Sequence, residues 1–196
     1  MKTSLKLATL ALFAACQSAP ETPEAPPEMS PDQMFAMLEE LATPGEQHAF
    51  LGMTIGTFDA ELDIYMAPGA PPESASGTMV NSWIMDGRYV RGDYDGEFMG
   101  RPFQGISMSG FDNATQTFQG TWMDTMSTGM MPTSAGVRDG SKITFERTMY
   151  DPMMEQWVDQ REVLTIESQD FHKLEMFNVT DGEEMKTMEI RYRRKK

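Results

Sequence analysis

Asp124 and Glu162 are the residues of this chain whose type and setting best suit chemistry. Asp124 alternates with Phe118, Gly120, Trp122 and Met126. In an extended strand side chains repeat every two residues, so these five share one face. Glu162 alternates in the same way with Leu164 and Ile166. An ionised carboxylate on an apolar face is costly unless it meets a cation, hydrogen-bond donors or water. Paired interior carboxylates could do acid–base work with shifted pKa values. The commoner arrangement is structural, with each acid held by Arg88, Arg91 or Arg161 or capping a barrel mouth. The candidate ligand-contacting residues are therefore Trp83, Trp122, Asp124, Met126 and Glu162, and no catalytic set is assigned.

Other chemistries find little support. His48 and His172 are the only histidines, and no cysteine accompanies them, so a His-rich or Cys-containing zinc site is not indicated. A single cysteine, Cys16, leaves no intrachain disulfide framework. No glycine-rich phosphate loop of the G-x-x-x-x-G-K-[ST] type occurs, and a Ser-His-Asp triad is a matter of geometry that spacing cannot supply. The 20 methionines include two clusters, Met123/Met126/Met130/Met131 and Met149/Met153/Met154. Thioethers suit Cu(I), but methionine is also an ordinary gap-filler, and packing is the simpler reading. A haem ligand at His48 is disfavoured against a helix residue satisfied by backbone. No cofactor and no metal are expected. The formal charge of -14 sets nucleic acid and anionic lipid aside as partners.

The elements that must position these residues begin after a leader. Lys2 and Lys6 precede an apolar run over 7–15, and Ala14-Ala15 stand just before Cys16. A basic start, a short apolar centre and small residues at the cleavage point describe a signal peptide over 1–15. The run is too short to anchor by spanning a bilayer. LFAAC resembles a bacterial lipobox, with Phe13 where Leu, Val or Ile is usual. That resemblance implies lipidation at Cys16, attachment to a membrane of the cell envelope and, with Gln17-Ser18 following, outer-membrane sorting. Secretion with Cys16 unmodified is the alternative. Residues 16–29 carry prolines and glutamates with no aromatic, which describes a disordered tether.

One folded domain is expected over 30–196. Ser30-Pro31-Asp32-Gln33 is a capping-box helix start, followed by an apolar stripe of Met34, Met37, Leu38 and Leu41. Thr43-Pro44-Gly45-Glu46 repeats the start signal for a second short helix through about Met53. From Gly56 the pattern changes to short alternating runs, read as strands at 57–65, 74–85, 89–94, 103–111, 118–125, 129–137, 142–150, 156–167, 171–179 and 185–193. Turns fall at Ala67-Pro68-Gly69, Asp86-Gly87, Asp95-Gly96, Asp112-Asn113, Asp139-Gly140, Asp151-Pro152 and Asp181-Gly182. About ten sequential antiparallel strands leave two raw edges unless the sheet closes. The expected fold is all-β, an antiparallel up-and-down barrel preceded by one or two short helices, with an open sandwich as the alternative.

The segments PGEQHAFLGMTIGTF, WIMDGRYV, EFMGRPFQGISMSGFDN, TWMDTMSTGMM, YDPMMEQW and MKTMEIRYRRK resemble the bacterial domain of unknown function 1579 family over about Pro44 to Lys195. That resemblance implies a lipocalin-like or calycin-like barrel and leaves activity open. Phe58 and Phe111 stand where relatives tend to carry Trp and Tyr, which removes two polar handles. The combined expectation is an envelope lipoprotein whose barrel holds a small apolar ligand. A structural lipoprotein with a filled barrel, or an enzyme using the interior carboxylates, are the alternatives. The oligomeric state is left open.

Overall fold

The computed structural model describes residues 29–152 and 154–196, apart from the side chain of Ser134. The leader, Cys16, residues 17–28 of the tether and Met153 lie outside that range. Helix α1 spans Pro31–Ala42, α2 spans Glu46–Leu51, and a 3-10 turn covers Gly52–Thr54. Ten strands follow: β1 Gly56–Ile64, β2 Glu73–Ile84, β3 Tyr89–Phe98, β4 Arg101–Asp112, β5 Thr117–Asp124, β6 Met131–Asp139, β7 Lys142–Asp151, β8 Gln156–Ser168, β9 Phe171–Thr180 and β10 Glu183–Arg194. Each pairs antiparallel with the next, and β1 closes on β10 from Phe58↔Arg194 to Ile64↔Met188. The expected up-and-down barrel is the observed fold, and closure removes both edges.

Most strand ends follow the turn chemistry. Asp112 holds the β4–β5 connection as an Asx turn, accepting from the Ala114 amide at 2.8 Å and the Thr115 hydroxyl at 2.8 Å. Those bonds hold its carboxyl below the ordinary aspartate range. Asp181-Gly182 turns the chain between β9 and β10 with both residues at positive φ. The expected turn at Asp95-Gly96 is corrected, because β3 continues through it to Phe98 and reverses at Met99-Gly100, φ 51° and 72°. Gly96 serves close approach instead. A Cβ there would fall 2.6 Å from the Gly77 Cα of β2.

Helix α1 begins with the expected capping box between Ser30 and Gln33. No residue of α1 is buried, and its apolar stripe of Met34, Met37, Leu38 and Leu41 is largely exposed. Its end is tied to the barrel by Asn113, whose amide donates to the carbonyls of Leu41 and Thr43 at 2.8 and 2.9 Å. The next helix caps differently from the expectation. Gly45 precedes α2, and the Gly45 amide donates to His48 Nδ1 at 3.0 Å.

Helix α2 and the 3-10 turn plug one end of the barrel. Phe50 and Leu51 pack with Val90, Phe118, Ile143, Phe145 and Ile166. Complete burial of an apolar side chain of this size stabilises by about 1.5–3 kcal/mol, and Phe118, Ile143 and Ile166 are all fully buried. The plug is pinned by polar bonds as well. Asn81 Nδ2 donates to the Thr54 carbonyl at 2.9 Å, Arg194 donates to the Ile55 carbonyl at 2.8 Å, and the Arg138 guanidinium lies 3.8 Å over the Phe50 ring.

The opposite end is framed by the connections at 65–72, 99–100, 125–130, 152–155 and 181–182. Their apolar side chains Met66, Met99, Met126, Met130 and Met154 are exposed. Outside, β1, β9 and β10 carry a lattice of ion pairs joining Arg191 to Asp63 and Glu189, and Lys186 to Glu175 and Glu189. A charged outer wall is the reverse of the apolar band that a membrane-spanning barrel presents. The wall is uneven. Among the described residues β6 meets β7 only from Val137↔Thr144 to Asp139↔Lys142, whereas β7 pairs with β8 from Lys142 to Asp151.

Candidate functional site

Between plug and mouth the barrel is hollow. An interior cavity of about 360 Å³ has Leu51, Thr54, Asn81 and Val90 at its floor and Phe98, Asp124, Met126 and Met131 toward its mouth. Volumes of this order are usual for small-molecule sites, and the lining is mostly apolar with a few polar groups.

One side is aromatic. Trp122 stacks on Phe103 at 6.3 Å between centroids, and Tyr94 meets both edge-on at 5.7 and 6.5 Å. The period of two brings these rings inward, and a missing Cβ makes room. Gly105 lies opposite Asp124 in the β4–β5 register, and a side chain on it would overlap the Trp122 indole. Asp124 is half-buried at the upper end of this wall. Its Oδ2 accepts from Trp122 Nε1 at 2.7 Å, and its Oδ1 accepts from the Met126 amide at 2.9 Å. It has no salt-bridge partner among the described residues.

The opposing side carries the charge. Arg147 on β7 reaches Glu162 on β8 with 3.1 Å between Nη1 and Oε2. Arg147 Nε also donates to Gln160 Oε1 at 3.2 Å, and Gln160 Nε2 donates to Asn178 Oδ1 on β9 at 2.9 Å. Three strands are thus tied across the interior by one polar chain. Burial pushes the Glu162 carboxyl upward from the ordinary glutamate range, and Arg147 pulls it back only in part.

Lower down, His172 is stacked on Tyr192 at 4.5 Å and meets Phe58 edge-on at 4.6 Å. Burial, with the nearby Arg194 charge, lowers its pKa to about 4, so the ring is neutral at physiological pH. Its Nδ1 has no hydrogen-bond partner among the described residues. Phe58 lies between His172 and the Arg194 guanidinium. His48 lies outside the cavity, with Nδ1 accepting from Gly45 and its ring edge-on to Phe111.

Four of the five residues expected to contact a ligand line this space: Trp122, Asp124, Met126 and Glu162. Trp83 does not. It has the inward parity of Met79 and Asn81 but lies beyond the floor, half-exposed against Gly52 of the plug. The arginines expected to neutralise the acids are elsewhere, with Arg91 on Asp93 and Arg161 on Glu184. Arg147 takes that role, and its signal was present in the sequence. Ile143, Phe145, Arg147 and Met149 alternate on one face, and a cation interrupting an apolar face needs a partner. Of the two methionine clusters, Met126 and Met131 reach the cavity. Among the described residues no group of His, Cys, Asp and Glu could hold a metal ion.

The model for the family described as a protein of unknown function, DUF1579, matches residues 43–194. The chain belongs to that DUF1579 family. The match spans the barrel and plug together, so the cavity lies wholly within the DUF1579 region. No curated protein matches the chain. Among solved structures, Rv2717c from M. tuberculosis is 9% identical, covers 79% of this chain and 100% of its own, and has a TM-score of 0.52. A redesigned β-barrel covers 74% of this chain and 94% of its own at 12% identity and TM-score 0.39. The barrel EF1p2_mFAP2b bound to DFHBI covers 76% and 100% at 10% identity and TM-score 0.42. At these identities the likeness to Rv2717c is one of fold.

Proposed function

We propose that this DUF1579 barrel is a binding protein of the bacterial envelope that holds a small, largely apolar molecule and is tethered by a lipid on Cys16. The observation that carries the reading is the hollow interior: about 360 Å³ bounded by aromatic and thioether side chains, with one hydrogen-bonded charged pair in its wall. A filled barrel would have spent that volume on packing, because interiors close to crystal density wherever side chains allow it. The carboxylates give less support to catalysis. Glu162 is engaged by Arg147, and Asp124 by Trp122 and the Met126 amide, so neither is presented as a free base.

The test is native mass spectrometry of the protein purified from its own host under non-denaturing conditions. A discrete added mass, lost on denaturation, is expected. Bare protein from every preparation, with no gain in melting temperature on adding host lipid extract, would overturn the reading.

A further inference from the structure

We infer, resting on that binding reading, that the cavity selects an apolar organic cation, whose charge sits at the mouth between Asp124 and the aromatic face of Trp122 and Phe103. The charged groups around the cavity are unbalanced. Asp124 and Glu162 supply two carboxylates against the single guanidinium of Arg147. Arg147 is already engaged by Glu162 and Gln160, so it has little left to offer an anionic head. His172, the other nitrogen base facing this space, is neutral at physiological pH and adds no positive charge.

Asp124 is the acid left over. Its oxygens accept only neutral donors, the indole N–H and a backbone amide, and those bonds fix its orientation at the mouth. The indole that donates to it is stacked on Phe103, so π faces and a carboxylate occupy the same end of the cavity. A cation over the face of a tryptophan is stabilised by the ring quadrupole, more strongly where water is excluded. Below that point Leu62, Leu174, Met176, Met188 and Ile190 give the space an apolar wall for a tail, interrupted by the hydroxyls of Ser107, Ser109 and Thr133. Polarisable, unbranched thioethers accept tails of different shape, so the selectivity lies in the charge and not in the tail. A cavity of about 360 Å³ is at the small end of ligand sites, which suits a short chain or one or two rings. The formal charge of -14 draws cations toward the protein and repels anions before any contact forms.

Three probes of equal tail length separate the possibilities: octyltrimethylammonium, octanol and octanoate. Each is titrated calorimetrically into the full chain carrying Cys16→Ser, so that no detergent competes for the cavity. Octyltrimethylammonium is expected to bind at least tenfold more tightly than octanoate. In Asp124→Asn that preference should fall below threefold while octanol affinity stays within twofold, which reads charge separately from folding. Octanoate binding as tightly as the cation would overturn the inference and leave the binding reading in place. A cation preference that survives Asp124→Asn would also overturn it, since the charge would be read elsewhere. If none of the three binds at millimolar concentration, the inference fails together with the proposed function.

Discussion

Arg147 and Glu162 face each other across the β7–β8 ladder with 3.1 Å between guanidinium and carboxylate, inside the barrel and beside open volume. Phe145 stands opposite Glu162 in the register and Gln160 opposite Arg147, so the ion pair is diagonal. A diagonal pair fixes the relative position of two strands as well as neutralising a buried acid.

Arg147→Met should destabilise by about 3 kcal/mol, because it leaves Glu162 buried without its cation. Arg147→Met with Glu162→Leu should recover most of that loss, within about 1 kcal/mol of wild type, since an apolar pair removes both desolvation costs. Urea unfolding at constant m-value checks both. If the double variant is as unstable as the single one, the pair is positioning the strands and not merely neutralising charge.

Acid should weaken the barrel through His172. Its folded pKa of about 4 lies below the unfolded value of 6.5, so the unfolded chain takes up the proton first. The stabilisation is complete above pH 6.5 and is lost as pH falls toward 4, an effect of about 3 kcal/mol. His48, also lowered by burial, acts in the same sense. Glu162, raised by burial, acts in the opposite sense, favouring the folded state at low pH and losing that contribution as pH rises above 4.5. His172→Phe keeps the stack on Tyr192 and should remove much of the stability gained between pH 4.5 and 6.5. Superimposable stability–pH curves for variant and wild type would show that the ring is not held neutral.

Gly105→Ala should expel the Trp122 indole from the wall and break its bond to Asp124. Overpacking of this kind costs about 1–3 kcal/mol. In a Trp83→Phe/Trp157→Phe background, Trp122 emission should shift to the red and become open to iodide. Unchanged emission would mean that the ring has other room.

The extent to which this was legible in the sequence follows from what period two can and cannot carry. Alternation around Trp122 placed it and Asp124 inward together, and Asp86-Gly87, Asp139-Gly140 and Asp181-Gly182 marked three of the connections. Depth along the barrel is not encoded in parity. Trp83 therefore has the right face and the wrong height, one step past Asn81, where the floor begins. Cross-strand partners are not encoded either. Pairing of Arg147 with Glu162 depends on the β7–β8 register, Asp151 opposite Gln156, which the Asp151-Pro152 turn signal does not fix. Gly96 misled for a physical reason: one residue type serves both left-handed turns and close strand approach.

Cys16 lies outside the described residues, and fractionation checks its lipidation. Cys16→Ser should leave the membrane fraction, because the acyl chains that its lipidation would add are what make anchoring stable. A chain starting at Ser30 should keep the melting temperature of the longer protein, since α1 is fastened to the barrel by Asn113. A Cys16→Ser protein that still pellets with membranes would place the anchor elsewhere.

The short ladder between β6 and β7 bears on time as well as on shape. Among the described residues these strands share no pairing above Val137 and Thr144, and Met131, Thr133 and Arg147 look into the cavity from beside that interval. Local openings begin where backbone hydrogen bonds are fewest. Amide exchange should therefore be fastest along 131–136, well ahead of β9 and β10. On the binding function proposed above, a captured molecule would have a lateral exit that leaves the plug and the mouth untouched, and its residence would be set by how often two neighbouring strands part.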